Sequence, residues 1–236
     1  MKQESAAIFS IPEWEKIDFL AHGFGKGDWN WSDFGAHSRL CNFMPLSLCQ
    51  VHSDILHFVK SVPETTLVGD ALLTDRPGIL LVVKTADCLP ILIVDKNRRA
   101  IAAVHCGWKS TSKKLAQKVV QGMEEHYHSD PSSLMVAFGP CIEKDCYEVG
   151  EDVKREFEER GTGKNVFSPH SLHEGKYCLD IRLANKIQLL GSGVKHSNMS
   201  EIKLCTYCET TLLSYRRSHQ IEGRMLSFIG IVRPIE

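Results

Sequence analysis

The run ILLVVKTADCLPILIVDKNRRAIAAVHCGW, residues 79 to 108, decides the fold. Ile79 to Thr85 is almost continuously apolar, Thr85-Ala86-Asp87-Cys88 interrupts it, and Leu89 to Asp95 resumes in the same manner. Lys96-Asn97-Arg98-Arg99 reads as a solvated turn, and Ala100 to His105 as the returning strand. Short apolar runs bounded by turn residues are buried strands, and they are far too short to cross a bilayer. Several of these connections are too short for a parallel crossover. Strands and helices nonetheless interleave elsewhere, so the expectation is a mixed-sheet α+β domain rather than a doubly wound sheet.

Upstream, LCQVHSDILHFVK (48 to 60) alternates like a strand, and if extension begins near Cys49 then Val51 and His52 face opposite ways. Leu67 to Thr74 is a further unit closed by the turn Asp75-Arg76-Pro77-Gly78. Residues 1 to 48 are turn-rich, and Gly23, Gly25 and Gly27 introduce GKGDWNWSDFGAHS, a loop whose tryptophans either cover a pocket or pack on the core.

Downstream, Leu115, Ala116, Val119, Val120 and Met123 give the apolar face of a helix from about Ser112 to His126. Leu134 to Phe138 is a strand stopped by Gly139-Pro140, and Cys141 to Val149 a loop or short turn. Glu151 to Arg160 is a charged surface helix, and LDIRLANKIQLLGSG a helix ended by Gly191 or Gly193. LCTYCET, SYRR and MLSFIGIV read as returning strands or their edges. With no repeat and no linker, residues 1–236 form a single domain.

The chain has 236 residues, 43% hydrophobic and 24% charged, enough for a full core and incompatible with a fibrous or disordered class. Lys and Arg total 28 against 29 Asp and Glu, so no global basic field favours nucleic acid or a membrane surface as partner. A small anion held by local charge stays open. MKQESAAIFSIPEWEKIDFLAHGF has no basic segment followed by a sustained apolar stretch, so no signal peptide is expected. An odd nine cysteines favour a reducing cytoplasm, with thiols buried, metal-bound or reactive.

His52, Cys88 and His105 each fall at the end of an apolar run, where side chains converge while one face stays open. Singly they read as core residues. Together, two imidazoles and a thiolate are a three-ligand set for catalytic zinc, with the fourth position left to water or substrate. Asp87, beside Cys88, suits a catalytic role as proton acceptor or as the group orienting a ligand's second nitrogen, and equally an Asx turn. Cys205 and Cys208 in CTYC have the spacing of half a zinc knuckle, but Cys141 and Cys146 do not match as its other half, so one zinc per chain is expected. Arg216, Arg217, Lys109 and Lys26 are the candidate anion-binding residues. Dinucleotide and P-loop glycine patterns, HExxH and GxSxG are all absent. Cys88 with His105 is also a geometrically feasible hydrolase dyad, whereas His105 and Cys106 point to opposite faces.

QVH, DALLT, TADCLPIL, AAVHCGW, GPCI followed by YEV, LDIRLANKIQL, LCT, SYRR and GRMLSFIG occur in the order found in the bacterial YfiH-like family, also called the laccase-domain or polyphenol oxidase family. The resemblance runs from about His22 to Val232. It implies one α+β domain with two mixed sheets packed between helices (α/β/β/α), and His52, Cys88 and His105 as zinc ligands. It further implies phosphorolysis of adenosine, inosine or S-methyl-5'-thioadenosine and deamination of adenosine. Nucleosides and phosphate are then the partners of a monomer or homodimer. Copper-dependent polyphenol oxidation is the alternative activity, with copper as the alternative metal, although one such site offers no evident four-electron route to water. Two departures stand out: Cys106, Lys109 and Ser110 replace residues of the family's HAGWRG block, and HGFGKGDWNWSD lacks the usual Arg-x-Gly-Gly-x-Ser, leaving Lys26 as the replacement charge.

Overall fold

The structure, a computed structural model, describes residues 7–219 and 223–233. Residues 1–6, where the targeting expectation begins, lie outside that range, as do 220–222 and 234–236. One mixed sheet contains β1 (Ile8–Phe9), β2 (Leu20–Gly25), β3 (Met44–Ser47), β6 (Ile79–Thr85) and β14 (Met225–Ile231), in the order β1-β2-β14-β6-β3. A second contains β4 (Leu56–Phe58), β5 (Ala71–Thr74), β7 (Leu89–Asp95), β8 (Ala100–Cys106), β9 (Met135–Phe138) and β13 (Met199–Glu201), in the order β13-β9-β7-β8-β5-β4. The pairs β3–β6, β4–β5 and β9–β13 are parallel and the other pairs in these sheets antiparallel. A small antiparallel sheet, β10 (Glu148–Gly150), β11 (Phe167–Pro169) and β12 (Lys176–Leu179), adds to the two expected sheets.

Strand alternation builds the layers. In β7, Ile91 and Ile93 face a cluster that includes Val119, Val120, Ile181 and Leu189 from the helices α3 (Leu115–Tyr127) and α5 (Ile181–Gly191). Leu92 and Val94 face the other way and pack with Leu81 and Val83 of β6, filling the space between the sheets. The outer face of β6, Leu80 and Val82, packs with Trp29 and with Phe34 of α1 (Trp31–Ala36). The order is therefore helices, sheet, sheet, helix, the α/β/β/α arrangement. Each fully buried aliphatic side chain contributes about 1.5–3 kcal/mol.

Several local expectations need correction. Residues 48 to 60 are not one strand: Cys49 makes a single bridge to Val68, the chain turns at His52 with φ 57°, and only Leu56–Phe58 is a strand. The helix expected from Ser112 is two, α2 (Trp108–Ser112) and α3, because Lys114 adopts φ 63°. The SYRR segment is a short helix, α6 (Tyr215–Ser218), capped by Ser214, whose side chain accepts from Arg217 N. The described residues from 7 to 48 hold three strands and α1, and Trp29 is a packing residue. The charged helix α4 (Glu151–Glu159) buries Val153 and Phe157 as expected.

Candidate functional site

β6, β7 and β8 deliver the site because the β6–β7 connection and the end of β8 meet at the same edge of the stacked sheets. Cys88 sits in that connection, His105 is next to last in β8, and His52 arrives on the irregular segment before β4. One donor atom from each lies within 4.8 Å of the others, and the two rings meet at 4.8 Å between centroids. Gly107 makes this approach feasible. A Cβ there would stand 2.4 Å from His52 Nδ1 and 3.2 Å from Cys88 Sγ, so a larger residue would push the donors apart.

Asp70, fully buried just before β5, organises the set. Its Oδ1 accepts from His105 Nδ1 at 2.7 Å and from His52 N at 3.1 Å, while Oδ2 accepts from Ser53 N at 2.6 Å and Ser53 Oγ at 2.7 Å. These bonds fix the left-handed turn at His52 and commit His105 Nδ1, leaving Nε2 as the nitrogen free to act on Cys88 and His52. Burial pushes the His105 pKa down, but the Cys88 charge and the Asp70 hydrogen bond outweigh it and raise it to about 9. Burial raises Asp70, yet the bonds from His105 and Ser53 prevail and hold it at about 2. His52 is lowered by burial and by its neighbour His105.

The donor trio opens into a cavity of about 590 Å³, within the range of about 300–1,000 Å³ typical of small-molecule pockets. Tyr147, Tyr215 and Trp108 supply aromatic wall, and Lys84, Arg216 and Arg224 supply positive charge. Arg216 lies over the Tyr147 ring at 5.6 Å and donates to Glu148 O at 2.9 Å.

Of the eight residues singled out in the sequence, His52, Cys88, His105, Asp87 and Arg216 line this cavity. The other three are not among its lining residues. Arg217 donates to the carbonyls of Thr206, Tyr207, Glu209 and Leu212, holding a loop together. Lys109 is exposed, with its ammonium 5.4 Å from the Trp108 ring, and Lys26 lies 4.8 Å from the Phe9 ring. The carboxylate on the second nitrogen of His105 is Asp70 rather than Asp87. Asp87, at φ 88°, instead accepts from Thr206 Oγ1 at 2.6 Å and from Arg216 N at 2.7 Å, tying α6 to the pocket wall. Cys106 points into the core, and burial pushes its thiol well above the usual range. Sequence reasoning missed Asp70, Lys84, Tyr147 and Arg224; a lone carboxylate entering the apolar run at Ala71 was the one readable signal among them.

A thiol and two imidazoles at this separation, with a carboxylate behind one ring, form a donor set suited to a transition-metal ion. Residues 32–232 match the family described as multi-copper polyphenol oxidoreductase laccase. The chain is 38% identical over 188 residues to a purine nucleoside phosphorylase of Clostridium acetobutylicum, covering 77% of this chain and 75% of that one. It is 36% identical over 174 residues to purine nucleoside phosphorylase YlmD of Geobacillus stearothermophilus, covering 73% and 62%. Adenosine deaminase RL5, from an unknown prokaryotic organism, is 37% identical over 172 residues, covering 72% and 64%. In the last two cases the match spans just under two thirds of the relative's own length. The crystal structure of YlmD from Geobacillus stearothermophilus superposes with a TM-score of 0.82 at 26% identity over 98% of each chain. That of YfiH from Bacillus licheniformis gives 0.86 at 24% identity, covering 96% of this chain and 97% of that one, and speaks for the fold. Among the described residues no helix is long and apolar enough to cross a membrane. With the shared architecture and a match running over residues 32–232, the chain belongs to the laccase-domain family of YfiH and YlmD.

Proposed function

We propose that the cavity is the active site of a zinc-dependent purine nucleoside phosphorylase acting on adenosine, inosine and S-methyl-5'-thioadenosine, with deamination of adenosine as a second activity. The observation that carries this reading is the convergence of His52, Cys88 and His105 at a cavity with aromatic and cationic walls. In phosphorolysis a phosphate oxygen bonds to the anomeric carbon, the glycosidic bond breaks, and the base leaves with a proton. The chain must therefore hold an anion next to the sugar and a flat heterocycle in a fixed pose.

Tyr147 and Tyr215 offer ring faces to the purine. Burial keeps the Tyr147 hydroxyl protonated far above neutral pH, so it acts as a donor. Arg216 carries the planar fork suited to phosphate, with Lys84 and Arg224 adding charge on the same cavity. His52, Cys88 and His105 are the residues that would hold zinc, and Asp70 keeps the His105 proton on Nδ1. Zinc supplies Lewis-acid polarisation without a redox cycle, which suits both reactions.

Chromatography of adenosine, inosine and methylthioadenosine with and without phosphate tests the proposal. Free base should appear only with phosphate; no phosphate-dependent base from any of them overturns it. Phenol oxidation by the copper-loaded protein, without base release, would put oxidase chemistry in its place.

A second reading has its own observation: Cys88, His105 and Asp70 stand in the order of a nucleophile, its base and the group orienting that base. His52 arriving as a third donor favours metal. Zinc should protect Cys88 from alkylation; equal labelling with and without zinc would favour the hydrolase.

A further inference from the structure

Cys205 and Cys208 gain a third sulfur that spacing does not announce. Cys146, on the short turn Lys144–Cys146, lies with them so that all three Sγ atoms fall within 4.8 Å of one another. Cys146 and Cys208, 62 positions apart, approach to 3.4 Å between sulfurs. Cys146 and Cys205 are half-buried and Cys208 is exposed.

The backbone beside Cys205 is independently suited to anionic sulfur. The amide of Glu143 donates to Cys205 Sγ at 3.4 Å. An N–H group aimed inward in this way favours an anion or a thiolate-bound metal. The two segments are also laced together. Cys141 N donates to Leu204 O at 3.3 Å and Thr206 N to Cys141 O at 3.0 Å, so the sulfurs are held on a shared frame.

We propose that Cys146, Cys205 and Cys208 form a second metal site, for a thiophilic d¹⁰ ion such as Zn²⁺, separate from the His52–Cys88–His105 set. Three thiolates select a soft ion, and the exposure of Cys208 leaves the fourth coordination position to solvent, so the ion is exchangeable. A disulfide is the competing use of close cysteines, but it joins two sulfurs, whereas here three converge and the Glu143 amide serves Cys205, outside the pair that approaches to 3.4 Å. The site also has a structural consequence. Thr206, within the CTYC turn, donates to Asp87, and Tyr147, next to Cys146, lines the cavity, so the ion would clamp two loops of the pocket wall.

The test is titration of the metal-stripped, reduced full-length protein with Co²⁺, followed by elemental analysis after Zn²⁺ loading. Wild type should take two equivalents. The Cys146→Ser/Cys205→Ser variant should take one, with sulfur-to-cobalt absorption reduced to roughly a quarter, the share of Cys88 among four thiolates. Cys88→Ala should keep one equivalent and the three-thiolate spectrum. Cys208→Ser changes an exposed side chain and serves where the double variant does not fold; it too should lose one equivalent. A single equivalent in wild type, or a spectrum unchanged by Cys208→Ser, overturns the proposal. Recovery of a Cys146–Cys208 disulfide that prior zinc loading does not prevent also overturns it.

Discussion

Replacing Asp70 by asparagine changes almost no volume, yet every donor on this side chain needs an acceptor. Oδ1 receives His105 Nδ1 and His52 N, and Oδ2 receives Ser53 N, Ser53 Oγ and, at 3.4 Å, Val51 N. If the new amide nitrogen takes the Oδ1 side, it confronts the His52 N–H and forces His105 to accept at Nδ1, moving the ring proton to Nε2. If it takes the other side, it confronts the Ser53 and Val51 N–H groups. Either way at least one backbone donor is orphaned and the remaining bonds lose their charge assistance. The first effect costs about 1–3 kcal/mol and the second about 1 kcal/mol more, so Asp70→Asn should destabilise the fold by about 3 kcal/mol. Zinc affinity at the adjacent set should fall about 10–100-fold, as for other carboxylates behind a metal-binding histidine. Urea unfolding of metal-stripped protein measures the first, and competition with a chromogenic chelator the second, in a Cys205→Ser/Cys208→Ser background so that only the His52–Cys88–His105 set is titrated. Ser53→Ala, which removes one hydroxyl donor, is the control: about 1 kcal/mol of stability with zinc affinity unchanged. Zinc affinity in Asp70→Asn within about twofold of wild type would refute the reasoning, since the positioning of His105 would then not depend on this carboxylate.

Two further outcomes follow from His22 and from Arg216. His22 Nε2 accepts from Ile11 N at 2.9 Å, and burial lowers its pKa from 6.5 to about 4. Between those values the unfolded chain binds more protons, so stability rises with pH across the window and falls on acidification, by about 2 kcal/mol from about pH 7 to about pH 5. His22→Gln, which keeps an acceptor without a titration, should flatten His22's share of that slope in denaturant unfolding; an unchanged slope counts against it. For the substrate anion, Arg216→Ala should raise the phosphate KM about 10–100-fold at fixed ionic strength, the loss of one charge-assisted contact. Lys109→Ala, on an exposed side chain, should change it less than about threefold, and the reverse ranking would return phosphate binding to Lys109.

The strands β6, β7 and β8 were legible because apolar runs separated by turn residues leave few other folds, and with them came the positions of Cys88 and His105. His52 was legible as a residue but not as a place. Alternation in residues 48 to 60 favoured a strand, whereas the hydrogen bonds of Asp70 hold that segment in an irregular path, and no local preference encodes a partner so distant in sequence. Asp70 was readable only as a lone carboxylate entering an apolar run, and its partners were hidden for the same reason. The break at Lys113 and Lys114 was invisible because lysine is a good helix former, and nothing in its local sequence announces the left-handed backbone at Lys114. The helix in SYRR carried a readable cap in Ser214 that its shortness obscured. Cys146 could not be joined to CTYC by spacing, because the meeting of the two loops is a property of the tertiary fold.

The most direct measurement of the central claim is phosphorus NMR of the zinc-loaded protein with inosine and inorganic phosphate. Inosine carries no amino group to lose, so base release reports on the glycosidic bond alone. The account predicts a sugar-phosphate resonance that grows in step with hypoxanthine, one for each base released. Hypoxanthine without sugar phosphate, or neither product from protein with zinc bound at His52, Cys88 and His105, would contradict it.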